Sequence, residues 1–310
     1  MAVLLSTKPA AMAMWREALL ALDPGLDIRM FPDAGDPAAI EAAVVWTAHD
    51  MAELRRYPNL RLIVSMGAGV DHLLRPPGPP PGIPVARLVD RMLTSQMGEW
   101  ILLNVLRFHR QDLDYRALQR DKVWRELPAP VTAETPIGFL GLGELGAHAA
   151  GLLRGLGFPV LGWTRRQKHV AGVETFHGPE GLAAMAARSR MLVCLLPLTA
   201  ETRDIVDSRL LGLLPSGAFL INGARGGHVV DADLLAALES GQLAGAALDV
   251  FAPEPLPAVH PYWSHPRVVM TPHAASITIP ESAAPQVVEN LRRARMGQPL
   301  QNLVDFAAGY

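Results

Sequence analysis

Short apolar runs rich in β-branched residues alternate along the chain with longer segments of helical periodicity, and that alternation predicts parallel α/β architecture. In the first third the predicted strands are Ala2 to Leu5, Asp27 to Phe31, Ala43 to Trp46, Arg61 to Ser65 and Pro84 to Arg87, with a clear helix over Ala11 to Leu22. The five prolines of the run Pro76-Pro-Gly-Pro-Pro-Pro-Gly82 lack backbone donors and exclude both helix and central strand, so it reads as a stiff surface loop. From Thr94 to about Gln119 there is no proline, and apolar residues recur at helical spacing, which predicts one long helix.

A second series of strands begins at Ile137-Gly-Phe-Leu-Gly141 and continues at Phe158 to Trp163, Met191 to Leu195, Ala218 to Asn222, Ala244 to Val250 and Arg267 to Met270. Helices are expected between them, at Gly181 to Arg188 and Asp231 to Ser240. The last predicted helix, about Ala283 to Met296, has no strand after it and is expected to return to the first unit.

Composition narrows the function classes. With 28 Lys and Arg against 30 Asp and Glu, the 310-residue chain carries a formal charge of -2, so no nucleic-acid or membrane surface is expected. Hydrophobic residues at 50% and charged residues at 19% argue for large buried cores rather than disorder, and the length suggests two domains. The single cysteine, Cys194, lies in an apolar run and reads as a buried thiol in a reducing compartment. No basic stretch precedes the apolar start and no apolar run is long enough to span a bilayer, so a cytoplasmic protein is expected. No metal-ligand spacing stands out, and no metal is expected.

Candidate chemistry begins at Gly141-Leu-Gly143-Glu144-Leu145-Gly146, which follows a strand and opens a helix as a G-x-G-x-x-G dinucleotide fingerprint requires. Gly141 permits the tight turn, Gly143 lets the backbone approach a pyrophosphate, and Gly146 lets helix and strand pack closely. About 20 residues later an acid would accept hydrogen bonds from the ribose of NAD. The chain instead reads Thr164-Arg165-Arg166-Gln-Lys168, a hydroxyl and three cations suited to a 2′-phosphate, which favours NADPH while leaving NADH possible. Three more stretches put chemistry at predicted strand ends: Asn222-Gly-Ala224-Arg225-Gly, Asp249-Val-Phe-Ala-Pro-Glu254-Pro and Thr271-Pro-His273. Arg225 can hold a carboxylate and polarise a carbonyl, His273 can exchange a proton, and Glu254 can orient the imidazole.

On these motifs, in this order, the chain resembles the D-isomer-specific 2-hydroxyacid dehydrogenases over nearly its whole length. Within that family it is similar to the glyoxylate/hydroxypyruvate reductase A branch through Val45-Trp46, Met66-Gly-Ala-Gly-Val-Asp71, Leu195-Leu-Pro-Leu-Thr199 and Trp163-Thr-Arg-Arg. The resemblance implies two Rossmann-like and flavodoxin-like doubly wound parallel-sheet domains. A discontinuous substrate-binding domain would cover 1–97 plus 285–310, and an NAD(P)-binding Rossmann domain 98–284. It further implies a cleft that closes on substrate and a homodimer built partly through the helix near residues 98 to 120. By the same resemblance Arg225, Glu254 and His273 are the catalytic set, and Leu196, Pro197, Asn222, Ala224 and Asp249 join the fingerprint and the cationic loop in holding the cofactor. Trp46, Met66, Gly67, Ala68 and Gly69 would line the substrate, the small residues exposing amides to its carboxylate.

The expected function is therefore an NADPH-preferring reductase that transfers hydride to C2 of a small 2-oxo acid such as glyoxylate or hydroxypyruvate, giving the D-2-hydroxy acid. The alternatives are a reductase of a larger 2-oxo acid and a non-enzymatic dinucleotide-sensing interaction protein, since fold does not determine function.

Overall fold

A computed structural model of the chain describes residues 2–46 and 50–309. It divides into two compact units, Met1–Leu93 with Ile277–Tyr310, and Thr94–Ser276. These seams fall a few residues before the boundaries expected at 97 and 284. They do so because the turn before the last helix, where Thr278 donates its hydroxyl to the Met66 carbonyl (2.8 Å), already belongs to the first unit.

The first unit is a five-stranded parallel sheet in the order β2-β1-β3-β4-β5, with β1 at Ala2–Ser6, β2 at Asp27–Met30, β3 at Ile40–Val45, β4 at Leu62–Ser65 and β5 at Val85–Ala86. That is a doubly wound order, in which all-parallel strands are buried on both faces and read as continuous apolar runs. β1 and β4 are buried at every position, whereas β2, at the edge, is only partly covered. One face is closed by the helix Pro9–Leu22, which buries Trp15, Ala18 and Leu19, and by the C-terminal helix Pro280–Arg295, which buries Ala283, Ala284, Val287 and Leu291 in the same core. Return of the last helix to the first unit is thus observed.

The second unit is a seven-stranded parallel sheet. Its strands are β6 (Ile137–Leu140), β7 (Val160–Thr164), β8 (Glu174–His177), β9 (Met191–Cys194), β10 (Ala218–Asn222), β11 (Leu243–Leu248) and β12 (Val268–Met270), in the order β12-β11-β10-β9-β6-β7-β8. The strand order reverses between β6 and β9, and ligands bind outside the carboxyl ends of strands at such a switch point. Among the described residues no helix is long and apolar enough to cross a membrane.

Two sequence expectations are corrected. β8 was not anticipated; it is a short edge strand, Glu-Thr-Phe-His, whose mixed polar pattern carries no apolar run. The single long helix expected from 94 to 119 is two helices, Arg91–His109 and Asp112–Arg120, separated at Gln111, which adopts a left-handed φ of 59°. Neither glycine nor proline marks this break, and tertiary contacts on either side account for it. Phe108 stacks on Phe219 at 4.5 Å, while Asp114 beyond the break receives Arg267 Nη1 at 2.6 Å.

Candidate active site

The fingerprint loop sits at the switch point of the seven-stranded sheet. Gly141 has φ of 97° and donates its amide to the Trp163 carbonyl (3.0 Å), so β6 turns sharply toward β7. A Cβ at Gly141 would lie 2.9 Å from the Leu195 carbonyl oxygen, and one at Gly146 would overlap the Gly141 carbonyl. Both glycines are therefore required by close backbone approach. At Gly143 a Cβ would meet nothing within 4 Å, which leaves open space at the N-terminus of the helix Glu144–Gly155. That end of a helix, with unpaired amides and positive dipole, suits a pyrophosphate. Glu144 is exposed and Leu145 half-buried on its first turn.

At the end of β7 the four residues assigned to the 2′-phosphate lie together. Thr164 donates its hydroxyl to the Arg166 carbonyl (2.7 Å), and Lys168 Nζ reaches back to the Leu142 carbonyl of the glycine loop (2.7 Å). Lys168 thus ties this loop to the fingerprint. Arg165 faces the loop after β9, where its charge helps hold the Glu201 carboxyl below its ordinary range, after larger contributions from the Thr199 hydroxyl and the Glu201 amide. The donor set and the open glycine cradle fit a phosphorylated dinucleotide.

Arg225, Glu254 and His273 follow the adjacent strands β10, β11 and β12. The His273 Nδ1 lies 2.7 Å from Glu254 Oε2, and the Phe251 amide donates to the other carboxylate oxygen at 2.9 Å. Burial raises the Glu254 pKa, but the hydrogen bonds from His273 and Phe251 and the charges of His273 and Arg225 outweigh it and leave the carboxyl below its usual range. A carboxylate can only accept, so Nδ1 carries the hydrogen and Nε2 is the nitrogen left for proton exchange. Arg225 Nη1 donates to the Ala224 carbonyl at 2.7 Å, and the guanidinium remains half-buried. The Arg225 turn approaches the Glu254 loop closely, because a Cβ at Gly226 would overlap the Phe251 carbonyl.

Several residues expected at the cofactor also hold local turns. Asp249, 1% exposed, accepts at Oδ1 from the Thr271 hydroxyl (2.6 Å) and the Ala274 and Ala275 amides (2.8 and 3.0 Å), so it underpins the turn that presents His273. His273 itself has φ of 54°, a left-handed conformation held by its amide bond to the Asp249 carbonyl at 2.7 Å. Asn222 spends its side chain on its own turn, accepting from the Ala224 amide (3.1 Å) and donating to the Arg225 carbonyl (3.0 Å). Leu196 and Ala224 are buried, and Pro197 is half-buried at the end of β9. Sequence reasoning missed Trp100, whose indole N–H donates to the Thr271 hydroxyl at 3.0 Å, and His228, fully buried three residues after Arg225. A histidine in an apolar stretch close to a candidate arginine was the available signal for the second.

In the first unit the residues assigned to substrate stand after β3 (Trp46) and in the loop after β4 (Met66 to Gly69). The Trp46 ring covers Gly67 so closely that a Cβ there would overlap it, and His72 Nε2 lies 2.6 Å from the Trp46 carbonyl with the rings 5.1 Å apart. Met66 is buried, and Ala68 and Gly69 are half-buried. Among the described residues no group of three or more His, Cys, Asp or Glu side chains could hold a metal ion.

Residues 102–275 match the D-isomer specific 2-hydroxyacid dehydrogenase NAD binding domain. The chain is 40% identical over 301 residues, 96% of both chains, to glyoxylate/hydroxypyruvate reductase A of Yersinia enterocolitica. The chain belongs to the D-isomer specific 2-hydroxyacid dehydrogenase family. Among solved members of that family, it superimposes with a TM-score of 0.94 on one from Xanthobacter autotrophicus Py2 in complex with NADPH and MES, at 43% identity, covering 100% of this chain and 99% of that one. An NADPH-dependent glyoxylate/hydroxypyruvate reductase from Sinorhizobium meliloti, in complex with NADP and sulfate, aligns at 38% identity with a TM-score of 0.91 over 100% of both chains. The glyoxylate/hydroxypyruvate reductase A likeness expected from the motifs is thus found among its relatives.

Proposed function

We propose that this dehydrogenase reduces small 2-oxo acids, with glyoxylate and hydroxypyruvate as leading substrates, and takes its electrons from NADPH. The observation that carries the reading is the His273 to Glu254 pair at 2.7 Å beside the Arg225 guanidinium, at three neighbouring strand ends of a sheet whose switch point bears the glycine cradle. The reduced nicotinamide, when bound, supplies a hydride to C2. Arg225 holds the substrate carboxylate and polarises the carbonyl oxygen through its planar fork. His273 delivers the Nε2 proton to that oxygen, so the carbonyl carbon gains hydride, the oxygen gains a proton, and a D-2-hydroxy acid leaves. Glu254, kept ionised, fixes the imidazole through Nδ1 and stabilises its charged form. By the same reading Trp46 limits substrate size, and the loop after β4 offers the Ala68 and Gly69 amides to the carboxylate, the Gly67 amide being bound to the Ser65 hydroxyl (3.3 Å). The relatives solved with NADPH or NADP support the cofactor choice, as does the absence of an acid at the end of β7.

The same reading includes a homodimer and a reducing, cytoplasmic setting. Leu103, Tyr115, Val123, Trp124 and Val131 present exposed apolar surface along the two helices and the segment after them, Trp124 fully so, and a second copy is the occupant proposed for them. Light scattering tests the dimer, and cell fractionation the compartment. Initial rates with NADPH and NADH across glyoxylate, hydroxypyruvate, pyruvate and phenylpyruvate test the function. Turnover confined to phenylpyruvate would point to a larger substrate, and no turnover of any would remove the enzymatic reading.

A further inference from the structure

His228 is 0% exposed, and each of its ring nitrogens faces a backbone carbonyl oxygen: Nδ1 faces that of Arg225 at 3.1 Å, and Nε2 that of Pro197 at 3.3 Å. Neither oxygen is captured by this ring alone. The Arg225 carbonyl also accepts from Asn222 Nδ2 (3.0 Å) and from the His228 amide (3.3 Å), and the Pro197 carbonyl from the Thr202 hydroxyl (2.6 Å). The two carbonyls belong to different parts of the site, the Arg225 turn after β10 and the loop after β9. Backbone bonds repeat the connection, the Asp204 amide donating to the Gly227 carbonyl (2.9 Å) and the Val206 amide to that of His228 (2.9 Å).

We infer that His228 is a positioning residue for Arg225: its buried ring bridges the Arg225 turn to the Pro197–Thr202 loop and so holds the turn from which the guanidinium meets the 2-oxo acid. This rests on the reading of Arg225 as the substrate anchor. Without the ring contacts the Arg225 turn loosens and 2-oxo acid binding weakens.

Steady-state kinetics on the full-length enzyme with NADPH test this. His228→Phe, which keeps an aromatic ring and loses both polar contacts, should raise KM for glyoxylate about tenfold with a smaller effect on kcat. His228→Gln, which keeps polar atoms on a side chain of similar reach, should fall between. A wild-type KM in His228→Phe would overturn the inference; where that variant fails to fold, His228→Asn, too short to reach both carbonyls, decides it in the same way. Arg225→Lys separates the two levels: an impaired Arg225→Lys beside a normal His228→Phe sinks the bridge alone, whereas a wild-type KM in Arg225→Lys sinks the substrate-anchor reading and the bridge with it.

Discussion

Asp249→Ala is the most informative single change outside the catalytic set, because the structure gives its cost in countable hydrogen bonds. The substitution removes the acceptor of the Thr271 hydroxyl (2.6 Å) and of the Ala274 and Ala275 amides (2.8 and 3.0 Å) at a position 1% exposed, where bulk water cannot replace it. A buried donor left unsatisfied costs about 1 to 3 kcal/mol, so three of them, with one re-satisfied by water entering the vacated space, should destabilise the second unit by about 2 to 6 kcal/mol. Asp249→Asn keeps Oδ1 as an acceptor and should cost about 1 kcal/mol. The kinetic consequence follows from the same geometry. His273 stays left-handed only while its turn is held from below, and a displacement of about 1 Å in a catalytic group costs on the order of 10²-fold in rate. Urea unfolding followed by far-UV circular dichroism gives the stability change, and steady-state glyoxylate reduction gives kcat. An Asp249→Ala protein within about 1 kcal/mol of wild type and within twofold in kcat would refute the idea that this side chain holds the His273 turn.

Four further outcomes are expected. His273→Ala should lose on the order of 10²-fold or more in kcat with NADPH affinity little changed, as read by steady-state rates and cofactor fluorescence titration. Thr164→Asp with Arg165→Ser should shift kcat/KM toward NADH by roughly tenfold or more, and the wild-type NADPH preference should weaken with added salt because these cations are exposed. The Glu254 carboxyl titrates below the ordinary glutamate range, so the stability that its ionised form supplies is complete above that range and is lost as pH falls through the lowered value. Glu254→Gln should accordingly show a shallower acid limb in urea-measured stability, and an unchanged limb would contradict the pairing. Burial pushes the Cys194 thiol up to about 12, so the native protein should leave a thiol reagent unreacted at pH 8 and titrate one group after denaturation.

The candidate site was legible to the extent that its chemistry is carried by residue type at fixed spacing. The glycine fingerprint, the cationic run after β7, and Arg225, Glu254 and His273 at strand ends were all readable because each has a local sequence context that its role demands. What escaped was the support beneath them. Asn222 and Asp249 stand in motifs that point to the cofactor, and their oxygens also close the turns of Arg225 and His273, a use visible only once Ala224, Ala274 and Ala275 are seen facing them. Trp100 lies 171 residues from its partner Thr271, beyond any periodicity.

The parallel α/β architecture, the dinucleotide fingerprint and the charged residues at strand ends were readable from the amino-acid sequence, since apolar period, glycine placement and charge are properties of short segments. Tertiary structure alone decided the break at Gln111, the edge strand β8, the seam before the C-terminal helix, and the buried bridge at His228. Each of these depends on which distant groups come to face one another. A helix breaks at a left-handed Gln111 between segments with different distant partners, a weak strand forms because an edge offers it a ladder, and a histidine gains a role from two carbonyls brought to its ring by different strands.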